Sequence, residues 1–442
     1  MSPEQKSRSR ILIRGGTVID ERASRRADVL VEQGVISAVE ESIEPSGKVV
    51  EIDARGCYVT PGLVDLHTHL REPGGERAET IETGARAASL GGYTAILAMP
   101  NTLPAIDSAA VVRDVLDIAR GVSAQVLVSG AITKGRLGEE LAEIGAMAEL
   151  GVCLFTDDGT GVQDAGLMRR ALEYASDLGV VLAQHCEDSS IACGGHMNEG
   201  EWSSRLGIHA QPALAEEAMV ARDLSLVELT GAPMHFLHLS AAGSIARVRE
   251  AKAKGLPVTA EATPHHLCLT DSLISSYDPV FKVNPPLRSD DDVLAVKAGI
   301  ADRTIDAIAT DHAPHPPETK QRPFDQAPFG MLGLETALAV AYGELVESDG
   351  PWALSVEQLF ALFCWQPARI CRADKDGQGG PIASGNAAHL CVFDPSERWT
   401  VDPNRSASRS RNTPFAGRAL HGRVRHTVYA GELVVEDGVA LR

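Results

Sequence analysis

LVDLHTHL, residues 63–70, is a short apolar run that ends in two histidines spaced i, i+2. A run of this length and composition reads as a buried β-strand. Seven more follow it: YTAILAMPN (93–101), AQVLVSGAI (124–132), GVCLFTDDG (151–159), VVLAQHCED (180–188), MHFLHLSA (234–241), PVTAEATPHH (257–266) and TIDAIATDHAPH (304–315). Between them lie stretches that read as helices, among them 77–90, 109–120, 137–150, 165–178 and 244–254. Several stop at glycine just before the next strand, at Gly91-Gly92, Gly151 and Gly179, where a left-handed helix cap belongs. Eight βα units in succession call for a closed (β/α)8 barrel, an α/β fold of the TIM type.

The barrel spans 62–385 in this reading. Residues 1–61 alternate in strand fashion, and strand character returns over 386–442. The two chain ends are expected to pair into one small β-sandwich beside the barrel. Two connections are longer than a plain βα unit needs, 188–211 and 266–292, and these are candidate active-site loops. The low-complexity tract SASRSR (406–411) reads as an exposed loop.

Of the 442 residues, 44% are hydrophobic, 23% charged and only 4% aromatic, so the core rests on Ala, Val, Leu and Ile. The net charge of −19, with a basic run only over 6–10, argues against nucleic acid as a partner. It does not exclude an anionic small substrate, because a local arginine or metal can reverse the field in a cleft. The eight cysteines form no CxxC pair and read as free thiols in a reducing cytoplasm. The first residues, MSPEQKSRSRILIRGG, lack the apolar segment of a secretion signal, and no 18-residue uncharged apolar run follows, so no membrane association is expected.

The polar residues gather at the C-terminal ends of the expected strands, the catalytic face of this fold. The first strand ends in His67-Thr68-His69, the fourth in Asp157-Asp158-Gly159, the fifth in His185, the sixth in His238 and the eighth in Asp311. Residues i and i+2 of a strand point the same way, so His67 and His69 can converge. Three histidines with one aspartate would serve one zinc ion. Four with two aspartates would serve two, if one carboxylate bridges.

HTHLREPG (67–74), MPNT (99–102), FTDDG (155–159), HCED (185–188), HLS (238–240), NPPLR (284–288), TDHAPH (310–315) and SRNTPFAG (410–417) together resemble dihydroorotase, in its longer bacterial type within the cyclic amidohydrolase superfamily. The resemblance runs from about residue 8 to the C-terminus. It implies reversible cyclisation of N-carbamoyl-L-aspartate to L-dihydroorotate in pyrimidine biosynthesis, by a cytoplasmic enzyme with two zinc ions. His67, His69 and Asp311 would hold the first ion, His185 and His238 the second, and Asp158 would bridge them. Many relatives bridge with a carboxylated lysine, which FTDDG lacks; Asp157 is the rival bridge. Asp311 would also carry the catalytic proton. Substrate would meet His69, Arg71, Asn101, Asn284, His315 and the backbone of Phe329-Gly330, with Arg71 and Asn101 on the free carboxylate.

His265, His266 and Glu261 are left without a role, Glu261 being a candidate to orient a ligand. His235 is expected to face the core. The alternatives are a sister enzyme (dihydropyrimidinase, hydantoinase or allantoinase) or a dihydroorotase-like partner subunit of aspartate transcarbamoylase. Arg71 speaks against the sister substrates, which have no carboxylate for it. The full ligand set speaks against a scaffold that has lost its metals. A homodimer, or assembly with a transcarbamoylase, stays open at this point.

Overall fold

The computed structural model describes residues 10–442, so all of the basic run 6–10 except Arg10 lies outside the described residues. The chain begins with five strands, β1 (Ile11–Ile19), β2 (Ser24–Glu32), β3 (Val35–Glu40), β4 (Val50–Asp53) and β5 (Tyr58–Pro61). Local chemistry sets the β2–β3 hairpin. Its two turn residues, Gln33 and Gly34, have φ of 54° and 91°, the primed geometry that matches strand twist.

Eight parallel strands follow: β6 (Leu63–Thr68), β7 (Tyr93–Ala98), β8 (Gln125–Val128), β9 (Leu154–Thr156), β10 (Val181–Gln184), β11 (Met234–Phe236), β12 (Val258–Ala262) and β13 (Ala307–Ile308). They form two arcs, β6-β7-β8 and β9 to β13, each in sequence order. Single bridges join the arcs at Gly130–Phe155 and Thr68–His312, which closes the ring. The barrel expected from the eight apolar runs is therefore present, with strands shorter than the runs. The residues that end each run lie mostly just beyond the strand, where they are free to turn into the mouth.

Two apolar layers hold the barrel. Outward residues such as Tyr93, Ile96, Val126 and Leu182 pack with helix residues such as Ile81, Val112 and Leu172. Alternate strand residues, among them Val64, Leu66, Ala95, Leu97, Ala183 and Ala307, form a separate cluster closed by Ala368, Cys371 and Ala373. The inner layer mixes alanines with larger side chains such as Leu66 and Leu97, which together fill the barrel interior.

Helix ends follow their signals. The helix Ala165–Leu178 is capped by the Asp164 carboxylate on the Leu167 amide and ends at Gly179 with φ 64°. The helix Ile81–Leu90 starts at a Thr80–Thr83 capping box. The expected helix over 137–150 is a correction: only Ile144–Ala148 is helical. Gly138 adopts φ 72°, and Thr133 pairs with Leu141 instead, so the chain before Ile144 turns back on itself.

The last strands are β14 (Leu390–Thr400), β15 (Ala419–Tyr429), β16 (Glu432–Glu436) and β17 (Val439–Ala440). β14 pairs antiparallel with β5, from Leu390–Pro61 to Phe393–Tyr58, so both chain ends share one nine-stranded sheet. It has its own apolar cluster, including Ile11, Val29, Ile52, Val59 and Val392. The segment 406–411 is a second correction. Ser408 and Ser410 are 1% and 0% exposed, and their hydroxyls bind the buried Glu79 carboxylate and the Ala78 carbonyl. Serine-rich composition suggested solvent, but here the hydroxyls satisfy buried acceptors. No helix among the described residues is long and apolar enough to cross a membrane.

Candidate metal centre and substrate pocket

Six side chains from five strand ends meet at the mouth of the barrel. His67 is the penultimate residue of β6 and His69 lies just past it; Asp158, His185, His238 and Asp311 follow β9, β10, β11 and β13. All six are at most 5% exposed. His67 Nε2 is 3.4 Å from Asp158 Oδ1 and 3.5 Å from Asp311 Oδ1. His69 Nε2 is 3.0 Å from Asp311 Oδ1 and 3.6 Å from Asp158 Oδ2. On the other side, His185 Nδ1 and His238 Nε2 lie 3.6 and 3.4 Å from Asp158 Oδ1. Asp158 thus stands between a His67–His69–Asp311 group and a His185–His238 pair. Asp157 points away, its Oδ1 accepting from the Ile132 and Thr133 amides.

Arg71, His238 and Asp311 adopt φ of 60°, 31° and 45°. Non-glycine residues there cost on the order of 1–3 kcal/mol each, and such strain concentrates at functional sites.

The donor set fits a divalent cation. Sets of three, His67–His69–Asp311 and His67–Asp158–His238, have ligand atoms within 4.8 Å of one another. His67 Nε2 is buried without a hydrogen-bond partner. Its Nδ1 lies 3.0 Å from Glu261 Oε1, a contact that leaves the Nε2 lone pair for a metal. Glu261 Oε2 is 3.0 Å from His235 Nε2, whose Nδ1 is 2.8 Å from Thr259 Oγ1. His235 is therefore part of a buried chain that orients a candidate ligand. Burial opposes charge on Glu261, yet His235 and His67 outweigh it and bring its pKa to about 2. Burial likewise opposes charge on Asp158 and Asp311, and the surrounding imidazoles hold both well below the usual carboxylate range. Among the described residues, none of these three carboxylates pairs with lysine or arginine. These carboxylates in turn draw His67 and His185 toward their charged forms, and a bound metal cation would take the place of those protons.

The cleft above the cluster has a volume of about 300 Å³ and is lined by His69, Arg71, Asn101, Asn284, His315 and Phe329-Gly330, together with four of the other metal-ligand candidates. Every residue singled out for substrate thus lies on one wall or another. Two larger cavities, of about 430 and 460 Å³, lack the cluster; chemistry, not volume, marks the site. Among the described residues Arg71 has no carboxylate partner: Nε donates to the Pro314 carbonyl at 3.3 Å, and Nη2 lies 3.5 Å from His315 Nε2. Burial, then Arg71 and Lys320, depress the His315 pKa to about 3, so this ring is neutral. Its Nε2 faces the Phe329 carbonyl at 2.6 Å. Asn101 Oδ1 meets His69 Nδ1 at 2.9 Å.

Some contributors carried no sequence signal. Arg136 donates to the Asp158 carbonyl and holds that turn. Gln211 donates to Asn284 Oδ1, and Asn284 donates to Glu187 Oε2 at 2.7 Å. Glu187 belongs to the HCED motif, so only its partner was hidden. His265 and His266 are buried but form no part of the converging ligand sets.

A parallel eight-stranded barrel with imidazoles and carboxylates gathered at its mouth defines a protein of the metal-dependent amidohydrolase type. Solved structures agree on the fold: an L-hydantoinase (dihydropyrimidinase) from Arthrobacter aurescens has a TM-score of 0.87 at 24% identity, over 98% of this chain and 97% of that one. A dihydropyrimidinase from Brevibacillus agri has a TM-score of 0.84 at 22% identity, over 98% and 96%. The "Dihydro-orotase-like" family model matches residues 56–244. Proteins named dihydroorotase are 48% identical in Pelotomaculum thermopropionicum, over 97% of this chain and 99% of that one, and 47% identical in Streptomyces coelicolor, over the same shares. The chain belongs to the dihydroorotase family.

Proposed function

We propose that this chain catalyses the reversible, zinc-dependent closure of N-carbamoyl-L-aspartate to L-dihydroorotate and water. The observation that carries this reading is Arg71, a guanidinium without a carboxylate partner among the described residues, beside a cluster of four imidazoles and two aspartates. Arg71 is half-buried at the edge of the cleft, with hydrogen bonds to the Pro314 carbonyl and toward His315, and its planar fork would meet a substrate carboxylate bidentately.

Two zinc ions, one held by His67, His69 and Asp311, one by His185 and His238, with Asp158 shared, would supply polarisation of the reacting carbonyl and acidification of water. The chain's own residues do the rest. Arg71 and Asn101 orient the substrate by its free carboxylate. Asn284 and the Phe329-Gly330 backbone hold the ring and keep bulk water out. In ring opening, an Asp311 carboxylate oxygen takes the proton of the attacking water and delivers it to the departing ring nitrogen. In closure, the same oxygen takes the proton from the ureido nitrogen and gives it to the departing hydroxyl. The eight free thiols suit a cytoplasmic enzyme. Assembly as a homodimer or with an aspartate transcarbamoylase is supported by the family resemblance alone, and light scattering with and without a transcarbamoylase decides it.

The test is cyclisation of carbamoyl-aspartate by purified protein, before and after chelation and zinc re-addition. Activity should need zinc, collapse in Asp311→Asn and weaken in Arg71→Ala. Carbamoyl-aspartate is a dianion and dihydroorotate a monoanion, so closure consumes one proton and is favoured at low pH. An apparent equilibrium constant that stays flat from about pH 6 to 8 would sink the reaction assignment. Turnover of dihydropyrimidine in its place would assign a sister activity.

A further inference from the structure

Two buried lysines lie beside the pocket, and neither has a carboxylate partner among the described residues. Lys282 is 2% exposed and Lys320 9%. Lys320 Nζ donates to the carbonyls of Pro279 at 2.9 Å, Lys282 at 3.1 Å and Pro328 at 2.9 Å. Lys282 Nζ donates to the carbonyls of Phe324 at 2.8 Å and Asp325 at 3.0 Å, and sits 4.6 Å from the centre of the Phe329 ring. The Gly330 amide in turn donates to the Lys282 carbonyl at 2.9 Å. Lys282 caps carbonyls of the loop that carries Lys320, and Lys320 caps carbonyls of the Lys282 loop and of its own.

Those two loops carry substrate-facing groups. Asn284 is two residues from Lys282, and Phe329-Gly330 directly follows Pro328. Lysine is rarely buried without a partner, because desolvating an ammonium is expensive. Burial pulls both below the usual ammonium range, Lys320 to about 7 and Lys282 to about 8. The facing charged and titratable groups are few: Asp278 and His315 for Lys320, Asp325 and His196 for Lys282, and each lysine for the other. Three carbonyls around one Nζ match the three donors of an ammonium, whereas a neutral amine offers only two, and this opposes the effect of burial.

We propose that Lys282 and Lys320 are positioning residues: a reciprocal pair of ammonium clamps that hold Asn284 and the Phe329-Gly330 backbone on one pocket wall. This rests on the substrate reading given above. The clamps add to the few backbone hydrogen bonds of these loops, such as the Lys282 amide on the Pro279 carbonyl and the Gly330 amide on the Lys282 carbonyl, and hold the Phe324, Asp325 and Pro328 carbonyls besides. Loss of a clamp should blur the wall that binds substrate and spare the metal centre, which hangs from other elements.

The experiment uses the full-length, zinc-loaded enzyme and two variants, Lys320→Met and Lys282→Met, which keep the stem and remove the donors. In Lys320→Met, KM for carbamoyl-aspartate should rise about tenfold, the worth of one hydrogen bond to a charged group, with kcat within about twofold. Bound zinc should be unchanged. Without substrate, amide exchange over 316–330 should speed up. Lys282→Met should act the same way and decides the matter if Lys320→Met does not fold. Unchanged KM and unchanged exchange overturn the proposal, as does a fall in kcat at constant KM. The exchange measurement needs no turnover. If the wild type fails to cyclise carbamoyl-aspartate, the function proposed above falls, while the exchange difference still decides the clamp.

Discussion

Glu261 shows how much one buried carboxylate can organise. It touches His67 Nδ1, His235 Nε2 and, at 3.4 Å, the His238 amide. It therefore fixes the tautomer of one candidate ligand and the backbone of another. Glu261→Gln keeps the shape but offers a carbonyl and an amide in place of two acceptor oxygens, so one imidazole loses its partner. Zinc affinity should fall by about 10- to 100-fold, the usual cost of losing such a contact, as read by competition with a chromophoric chelator. The acid limb of stability should change too. In the metal-free protein the folded pKa of about 2 lies below the ordinary 4.5. The stabilisation from ionised Glu261 is then complete above the ordinary value and lost as pH falls through the folded one. Acid unfolding followed by circular dichroism should show that component in the wild type and not in Glu261→Gln.

At the scale of elements, capping chemistry and loop chemistry behaved differently. The helix Ala165–Leu178 has the bounds its sequence announces, because Asp164 and Gly179 are local signals acting on adjacent backbone. Gly179 has φ 64°, and a Cβ there would meet nothing within 4 Å. Gly179→Ala should therefore cost only the left-handed strain, about 1 kcal/mol, seen as a lower urea midpoint with activity retained. The segments 137–143 and 406–411 departed from their sequence reading for different reasons: the first folds back on residues 132–134 through Gly138, and the second is held by partners far along the chain. Ser408 is buried by Glu79, which lies more than three hundred residues earlier.

The whole molecule is a barrel carrying a sheet made from both chain ends, and the metal site draws on five strands of that barrel. Metal binding is thereby folding energy. Stripping zinc should lower the melting temperature reversibly, with restoration on zinc re-addition; with zinc at about a thousand times its dissociation constant the difference is about 4 kcal/mol. A melting temperature indifferent to chelation, in protein shown to lose its zinc, would mean the cluster holds together without a cation.

The sequence by itself determined the number and order of the barrel strands, the pairing of the two ends and the strand-end histidines and aspartates that converge at the mouth, with the choice of Asp158 over Asp157 resting on the family resemblance until the structure turned Asp157 away. Strand periodicity and strand-end position are local properties, and a closed barrel turns position along a strand into position around the mouth. Family motifs then named the candidate substrate residues, all of which line the cleft. Only the tertiary structure decided what supports them. The Glu261–His235–Thr259 chain runs across two neighbouring strands, and Arg136 on the Asp158 carbonyl and the two lysine clamps act in irregular backbone; all are side-chain bonds between residues well separated in sequence. Such bonds have no period and no fixed spacing, so nothing in the one-dimensional pattern records them.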